Sequence, residues 1–237
     1  MKKTRKITLI LFSFLVIIYF FLLLFPQVLF RNKIEYKSFV VYSHSQPGRN
    51  IFEILDSAQN LLSHTELYEN ENSKNKIFLC NSFSEYSFFA PTATHAFACN
   101  KLFTNNIVVS KSNIIENKVE SNSKENNTRT LSGTIAHEVT HTLIKNKLGF
   151  VKYLMLDKWK NEGYADFVAK ESSFNYLIGM YFLCNSETPS APSFKYFKYR
   201  IYIKYLMEDE KLSFDKIAKG NFNLKNLEKE IRQKSCE

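Results

Sequence analysis

Residues 7–30 run for 24 positions without a charge, about 36 Å as a helix against a hydrocarbon core of about 30 Å. The run continues through Leu22, Leu23, Leu24, Pro26, Val28 and Leu29 with no small-x-small cleavage pattern and no lipobox cysteine, so it reads as an uncleaved signal anchor rather than a removed leader. Beyond it the pattern changes. Residues 38–42 look like a short strand, and 50–63 place Ile51, Ile54, Leu55, Ala58, Leu61 and Leu62 at helical spacing after the Pro47-Gly48 turn. Residues 76–80 and 106–110 are β-like runs bounded by Asn-rich turns. Helical periods then dominate, over 130–147 ending at Gly149, 159–170, 174–183, 193–209, 213–218 and 224–233. Between the two halves, 116–130 is rich in Asn, Ser, Glu and Lys and is expected to be an exposed loop. A small β-containing half followed by a helical half predicts an α+β fold. The expected division is 1–33 for the basic tip and transmembrane anchor and 34–237 for a single domain.

Composition sharpens this picture in two places. Hydrophobic residues make up 45% and aromatic residues 15% of the 237 positions, enough for a packed core of ordinary size. The net charge of +9 suggests nucleic acid only until its distribution is considered, because residues 1–37 carry +6 of it, through Lys2, Lys3, Arg5, Lys6, Arg31, Lys33 and Lys37 against Glu35. Basic residues flanking an apolar span are attracted to lipid headgroups. The Lys/Tyr-rich stretch 194–205 reads as an amphipathic helix with snorkelling lysines, so no nucleic-acid partner is expected. The expected topology is single-pass, with a cytoplasmic N-terminus and an extracytoplasmic domain. Cys80, Cys99, Cys184 and Cys236 all follow the anchor, which suits disulfides in that compartment. Of the three possible pairings, Cys80 with Cys99 and Cys184 with Cys236 is the one taken. Four buried thiols in a reducing compartment are the other reading.

The chemistry is concentrated at His137-Glu138-Val139-Thr140-His141. Histidines four apart on a helix project one turn apart from the same face, where neutral imidazoles reach a single zinc. Leu131, Ile135, Val139 and Leu143 form a separate apolar row, and position 137 lies about 200° around from 135. Glu138 is therefore placed beside the metal, where it can take a proton from the attacking water. With five histidines and 18 glutamates in the chain, composition alone would produce such a motif only about 0.01 times. A catalytic zinc needs a third ligand, and Glu162, 21 residues after His141 in Asn161-Glu162-Gly163-Tyr164-Ala165-Asp166, is positioned to supply it. Gly163 lets two backbones approach closely. Asp166, one turn after Glu162, can accept the free N–H of a metal-bound imidazole.

These residues resemble the gluzincins, in which His-Glu-x-x-His precedes a glutamate-bearing helix. Asn161-Glu162-Gly163-Tyr164-Ala165 is similar to the aminopeptidase N pattern, Asp166 to the aspartate that stands behind the metal ligands in the thermolysin group, and the compact size to the minigluzincins. The resemblance spans roughly residues 107–169 and is specific from 133 to 166. It implies a zincin-like domain, a small mixed sheet with an active-site helix and then a helical lower half. One Zn²⁺ is implied on His137, His141 and Glu162, with Glu138 as the catalytic base and a peptide or protein as substrate. It also implies that 106–110 is the sheet-edge strand that pairs with an extended substrate. The aminopeptidase Gly-x-Met-x-Asn signature and the third histidine of the metzincins are absent. Tyr196, Tyr199, Tyr202 and His95 are the candidates for the oxyanion donor, none unambiguous. A second expectation of another class is a membrane-anchored pseudo-enzyme or partner-binding module that keeps zinc without hydrolysis.

Overall fold

The computed structural model describes residues 2–68 and 74–236, the side chains of residues 2 and 3 excepted. The apolar segment forms helix α1 (Lys2–Leu24), with a stretch of 21 residues, Thr4–Leu24, long and apolar enough to cross a membrane. The helix is shorter than the uncharged run. Pro26 opens a 3-10 turn, Pro26–Leu29, because proline lacks the N–H that would continue the α-helical ladder. Phe30 is already buried in the core of the following domain, and β1 (Asn32–Tyr36) starts two residues later. The expected boundary after residue 33 therefore falls inside a strand.

The domain is mixed α+β. Strands β1, β2 (Phe39–Ser43), β3 (Asn75–Leu79), β4 (Ala98–Asn100) and β5 (Ile107–Val109) form one sheet in the order β1-β2-β3-β5-β4. The inner strands β2, β3 and β5 are parallel and the two outer ones antiparallel. The apolar runs in β3 and β5 are unbroken because both faces of the sheet are covered. Ile77, Leu79, Ile107 and Val109 point into the main core with Ile51, Leu55 and Ile135 of helices α2 (Asn50–Ser63) and α4 (Leu131–Leu148). Phe78, Cys80 and Val108 point the other way, to Phe30 and to Tyr86 and Phe89 of α3 (Phe83–Phe89).

Three expectations are corrected here. Residues 106–110 are not an edge: β5 lies between β3 and β4, and β4 is the outer strand. Its three residues, one of them a cysteine, gave β4 too little alternation to be read as a strand. The polar stretch 116–130 is not simply a loop either. It contains β7 (Lys118–Glu120) and β8 (Thr128–Thr130), which with β6 (Lys111–Asn113) make a second antiparallel sheet, pinned by the fully buried Val119. Of the two expected disulfides, Cys184–Cys236 is formed, whereas Cys80 and Cys99 are free thiols. Cys80 faces the second core cluster, and burial pushes both thiols up from their ordinary pKa, which keeps them protonated.

The helical half follows as α5 (Phe150–Met155), α6 (Lys158–Val168), α7 (Tyr176–Cys184), α8 (Ser193–Lys204), α9 (Phe214–Lys219) and α10 (Leu224–Ser235). The helix expected over 193–209 ends as a π-helical turn, Tyr205–Asp209. Helix α4 is capped by the Thr130 hydroxyl, which accepts from the Gly133 amide at 3.0 Å, and stops at Gly149, whose φ of 79° an L side chain rarely adopts. Helices α6 and α8 cross at Gly163: a Cβ there would lie 2.5 Å from the Tyr199 carbonyl oxygen, so the close approach expected of this glycine is present. Lys160 fixes the same helix to the end of α9, its buried ammonium donating to the carbonyls of Ala218 (3.3 Å) and Gly220 (2.8 Å).

Candidate metal centre

Helix α4 is buried on all sides from Leu131 to Ile144. Leu131, Ile135, Val139 and Leu143 enter the main core as the period requires. His137, Glu138 and His141 leave on another face, yet they too are buried, because α6 closes over them instead of water. Their ring nitrogens meet: His141 Nε2 is 3.1 Å from His137 Nε2, and His137 Nε2 is 3.6 Å from Glu162 Oε2 on α6. One donor atom from each of His137, His141 and Glu162 lies within 4.8 Å of the others, a group that could hold a metal ion. The separations of 3.1 and 3.6 Å bracket about 3.3 Å, the edge of a tetrahedron of donors some 2.0–2.1 Å from its centre. Two of the three donor separations thus match a small tetrahedral cation, and the third pair lies within 4.8 Å.

Each histidine is oriented from behind. His137 Nδ1 is 2.8 Å from Asp166 Oδ1 and His141 Nδ1 is 3.0 Å from Asn161 Oδ1, so each Nδ1–H donates outward and each Nε2 is turned to the shared centre. Asp166 is held in turn by Arg129 Nη1 at 2.9 Å, and Arg129 Nε also reaches Glu171 Oε1 at 3.2 Å. The charges of this buried row depend on one another. Burial opposes a proton on His137, but the carboxylates of Asp166 and Glu162 outweigh it and lift its pKa to about 10. Burial pushes the Glu162 carboxyl up, and the neighbouring imidazoles of His137 and His141 overcome this and hold it at about 2. Asp166 likewise ends below its ordinary value, burial being outweighed first by Arg129. A metal ion held here would take the place of the His137 Nε2 proton.

Glu138 belongs to α4 and not to the donor group. Its backbone is tied to the outer strand of the sheet, where Asn100 Nδ2 donates to the Glu138 carbonyl at 2.9 Å and to Thr142 Oγ1 at 2.8 Å. The strand beside the candidate centre is therefore β4.

The oxyanion candidates divide. Tyr202 is committed elsewhere, its hydroxyl donating to Glu228 Oε2 at 2.6 Å on α10. Tyr202→Phe is expected to leave any activity of the cluster within about twofold while costing about 1 kcal/mol in denaturation of the chain. His95 is exposed and has its Nδ1 on the Asn122 carbonyl at 2.7 Å. Tyr199 is brought against α6, but through its main chain at Gly163, while the neighbouring Tyr196 lies under the Lys158 ammonium, 5.2 Å from the ring centroid.

Two residues not singled out in the sequence do join the site. Tyr153 is half-buried on α5 between exposed neighbours. Its phenol pKa is raised first by burial and further by the charges of Glu138 and Glu162, against a hydrogen bond with the Asn161 side chain. Arg129 is the second. A cation beside a helix N-terminus is unfavourable to the dipole, and that misplacement was the signal that an acidic partner waits across the fold. No protein-family model matches this chain and no curated protein is similar to it, so a functional reading rests on the donor group and the side chains that orient it.

Proposed function

We propose that this protein is a membrane-anchored zinc peptidase of the gluzincin type, with α1 as the anchor, its N-terminus cytoplasmic, and the α+β domain a zincin-like catalytic domain outside. The reading is carried by one observation: two imidazoles and a carboxylate converge, each imidazole oriented by its own partner, with a further carboxylate, Glu138, on the same helix. A zinc ion held by His137, His141 and Glu162 supplies Lewis acidity, lowering the pKa of water towards 7 and polarising a carbonyl.

The remaining roles fall to the chain's own groups. Glu138 accepts the proton of the attacking water and delivers it to the leaving amine. Tyr153 donates its phenolic hydrogen to the oxygen on which negative charge develops, a role suited to a phenol kept protonated by burial. Strand β4, at the sheet edge and bonded through Asn100 to α4 at Glu138, offers its outer edge to an extended peptide. Asp166 and Asn161 keep the two imidazoles turned inward.

The full-length chain purified in detergent is expected to contain about one zinc per molecule, and to cleave members of a peptide library in a reaction lost with a chelator and restored by zinc. A metal-loaded chain that cleaves nothing would rule out the peptidase. Tyr153→Phe is expected to lower kcat by about 100-fold with little change in KM, and an unchanged kcat would return the search for the donor to Tyr199. Asp166→Asn is expected to weaken zinc binding by about 10–100-fold, read by competition with a chromophoric chelator.

A further inference from the structure

Helix α1 does not project freely from the domain. Tyr19, five residues before its end, donates its hydroxyl to the Phe88 carbonyl at 2.9 Å and sets its ring edge-on against Phe88 at 5.1 Å. At the end itself, Asn106 Nδ2 donates to the Leu24 carbonyl at 3.2 Å. Tyr19 lies about 7–8 Å along the axis from Leu24, so these contacts hold one side of the domain against the C-terminal end of α1.

That side continues as an apolar surface. The turn before Asn106, closed by Asn105 N–H to the Lys101 carbonyl at 2.8 Å, lifts Phe103 to 83% exposure. The Lys145 ammonium ties this turn to the end of α4 through the Leu102 carbonyl at 2.9 Å. The Phe103 ring is 6.1 Å from that of Phe150. Helix α5 buries no residue fully, and it presents Phe150, Val151, Leu154 and Met155 outward, Met155 at 79% exposure. Lys147 and Lys152, both exposed, stand beside it. Large apolar side chains next to lysines on a short helix suit the headgroup boundary of a bilayer. Helix α7 also exposes Leu177, Ile178 and Tyr181, but it packs on α8 and α10.

We infer that Phe103 and the outward face of α5 insert into the headgroup layer of the membrane that α1 crosses, holding the metal centre at the lipid surface. The inference rests on the reading of α1 as a membrane anchor. Tyr153, on the same short helix, packs inward against the main core that α4 enters, so the inserted face is the side of α5 turned away from the helix that carries the centre. The substrates that fit this placement are peptide segments emerging from the bilayer or lying on it.

The test uses the full-length chain in vesicles of phosphatidylcholine and phosphatidylglycerol, with and without brominated acyl chains. Phe103→Trp, Met155→Trp and, as a reference, Leu177→Trp are compared after subtraction of the buried native Trp159. Tryptophan at positions 103 and 155 is expected to emit to the blue of that at 177 and to be quenched by bromine at least about twofold more. Equal quenching at all three positions overturns the inference. So does a blue shift without bromine quenching, which would mean that protein, such as a second copy of the chain, covers this face. Flotation of the wild-type chain with vesicles in alkaline carbonate separates the premises: a chain that does not float overturns both the anchor and the apposition, whereas one that floats unquenched overturns the apposition alone.

Discussion

Glu138→Gln is expected to retain the full zinc content of the wild-type chain and to lower peptide turnover by about 10²–10⁴-fold, the range that a positioned general base supplies. The substitution preserves shape and removes only the ability to accept a proton, and Glu138 is not one of the three convergent donors. It is buried on α4, so an isosteric amide avoids the cavity that alanine would leave. Zinc content and turnover, measured on the same full-length preparation, separate three outcomes. Retained metal with lost turnover supports the proposed role. Full turnover would remove Glu138 from the reaction, and lost metal would put it among the ligands. His141→Ala should lose both, because a donor and the contact to Asn161 disappear together.

The parts of this site that could be read from the sequence are those governed by local periodicity. The spacing of His137 and His141 fixes a shared helical face, and Thr130 and Gly149 mark the ends of that helix by capping chemistry visible residue by residue. Glu162, Gly163 and Asp166 were legible because a second helix with those residues has only a few ways to meet the first. What escaped depends on tertiary contacts between distant segments. Arg129 sits in a polar stretch that resembles a loop, and its role appears only when β8 brings it to Asp166 and Glu171. Tyr153 lies in a short helix with no buried residue to give it a period, and β4 is a three-residue strand recognisable by its pairing with β5 rather than by its composition. Cys80 and Cys99 show the same limit: even numbers suggested a bond, but both are free thiols, although they belong to the same apolar cluster.

Arg129→Met is expected to destabilise the chain by about 3–5 kcal/mol, although Arg129 touches none of the three donors directly. The arginine side chain is 8% exposed and Asp166 3%, so the substitution leaves a carboxylate in a poorly solvated place with its main counter-charge gone. The cost comes from the carboxylate left with the His137 imidazole as its remaining partner more than from the lost pair itself. Arg129→Met combined with Asp166→Asn should therefore be more stable than Arg129→Met alone, a result that a merely bulky or badly packed methionine would not produce. The pH dependence carries the same sign. Asp166 is held below its ordinary value of 3.8 in the wild type, burial being outweighed by Arg129, so its contribution is complete above that value and is lost as pH falls through the depressed one. Without Arg129 the folded carboxyl titrates at higher pH, and once protonated it requires no cation. The stability gap between wild type and Arg129→Met should thus be widest near neutrality and narrow as the solution is acidified through the carboxylate range. Denaturant titrations of the full-length chain in detergent at several pH values measure it, and a gap that is small or independent of pH would mean that Arg129 does not hold the aspartate behind His137.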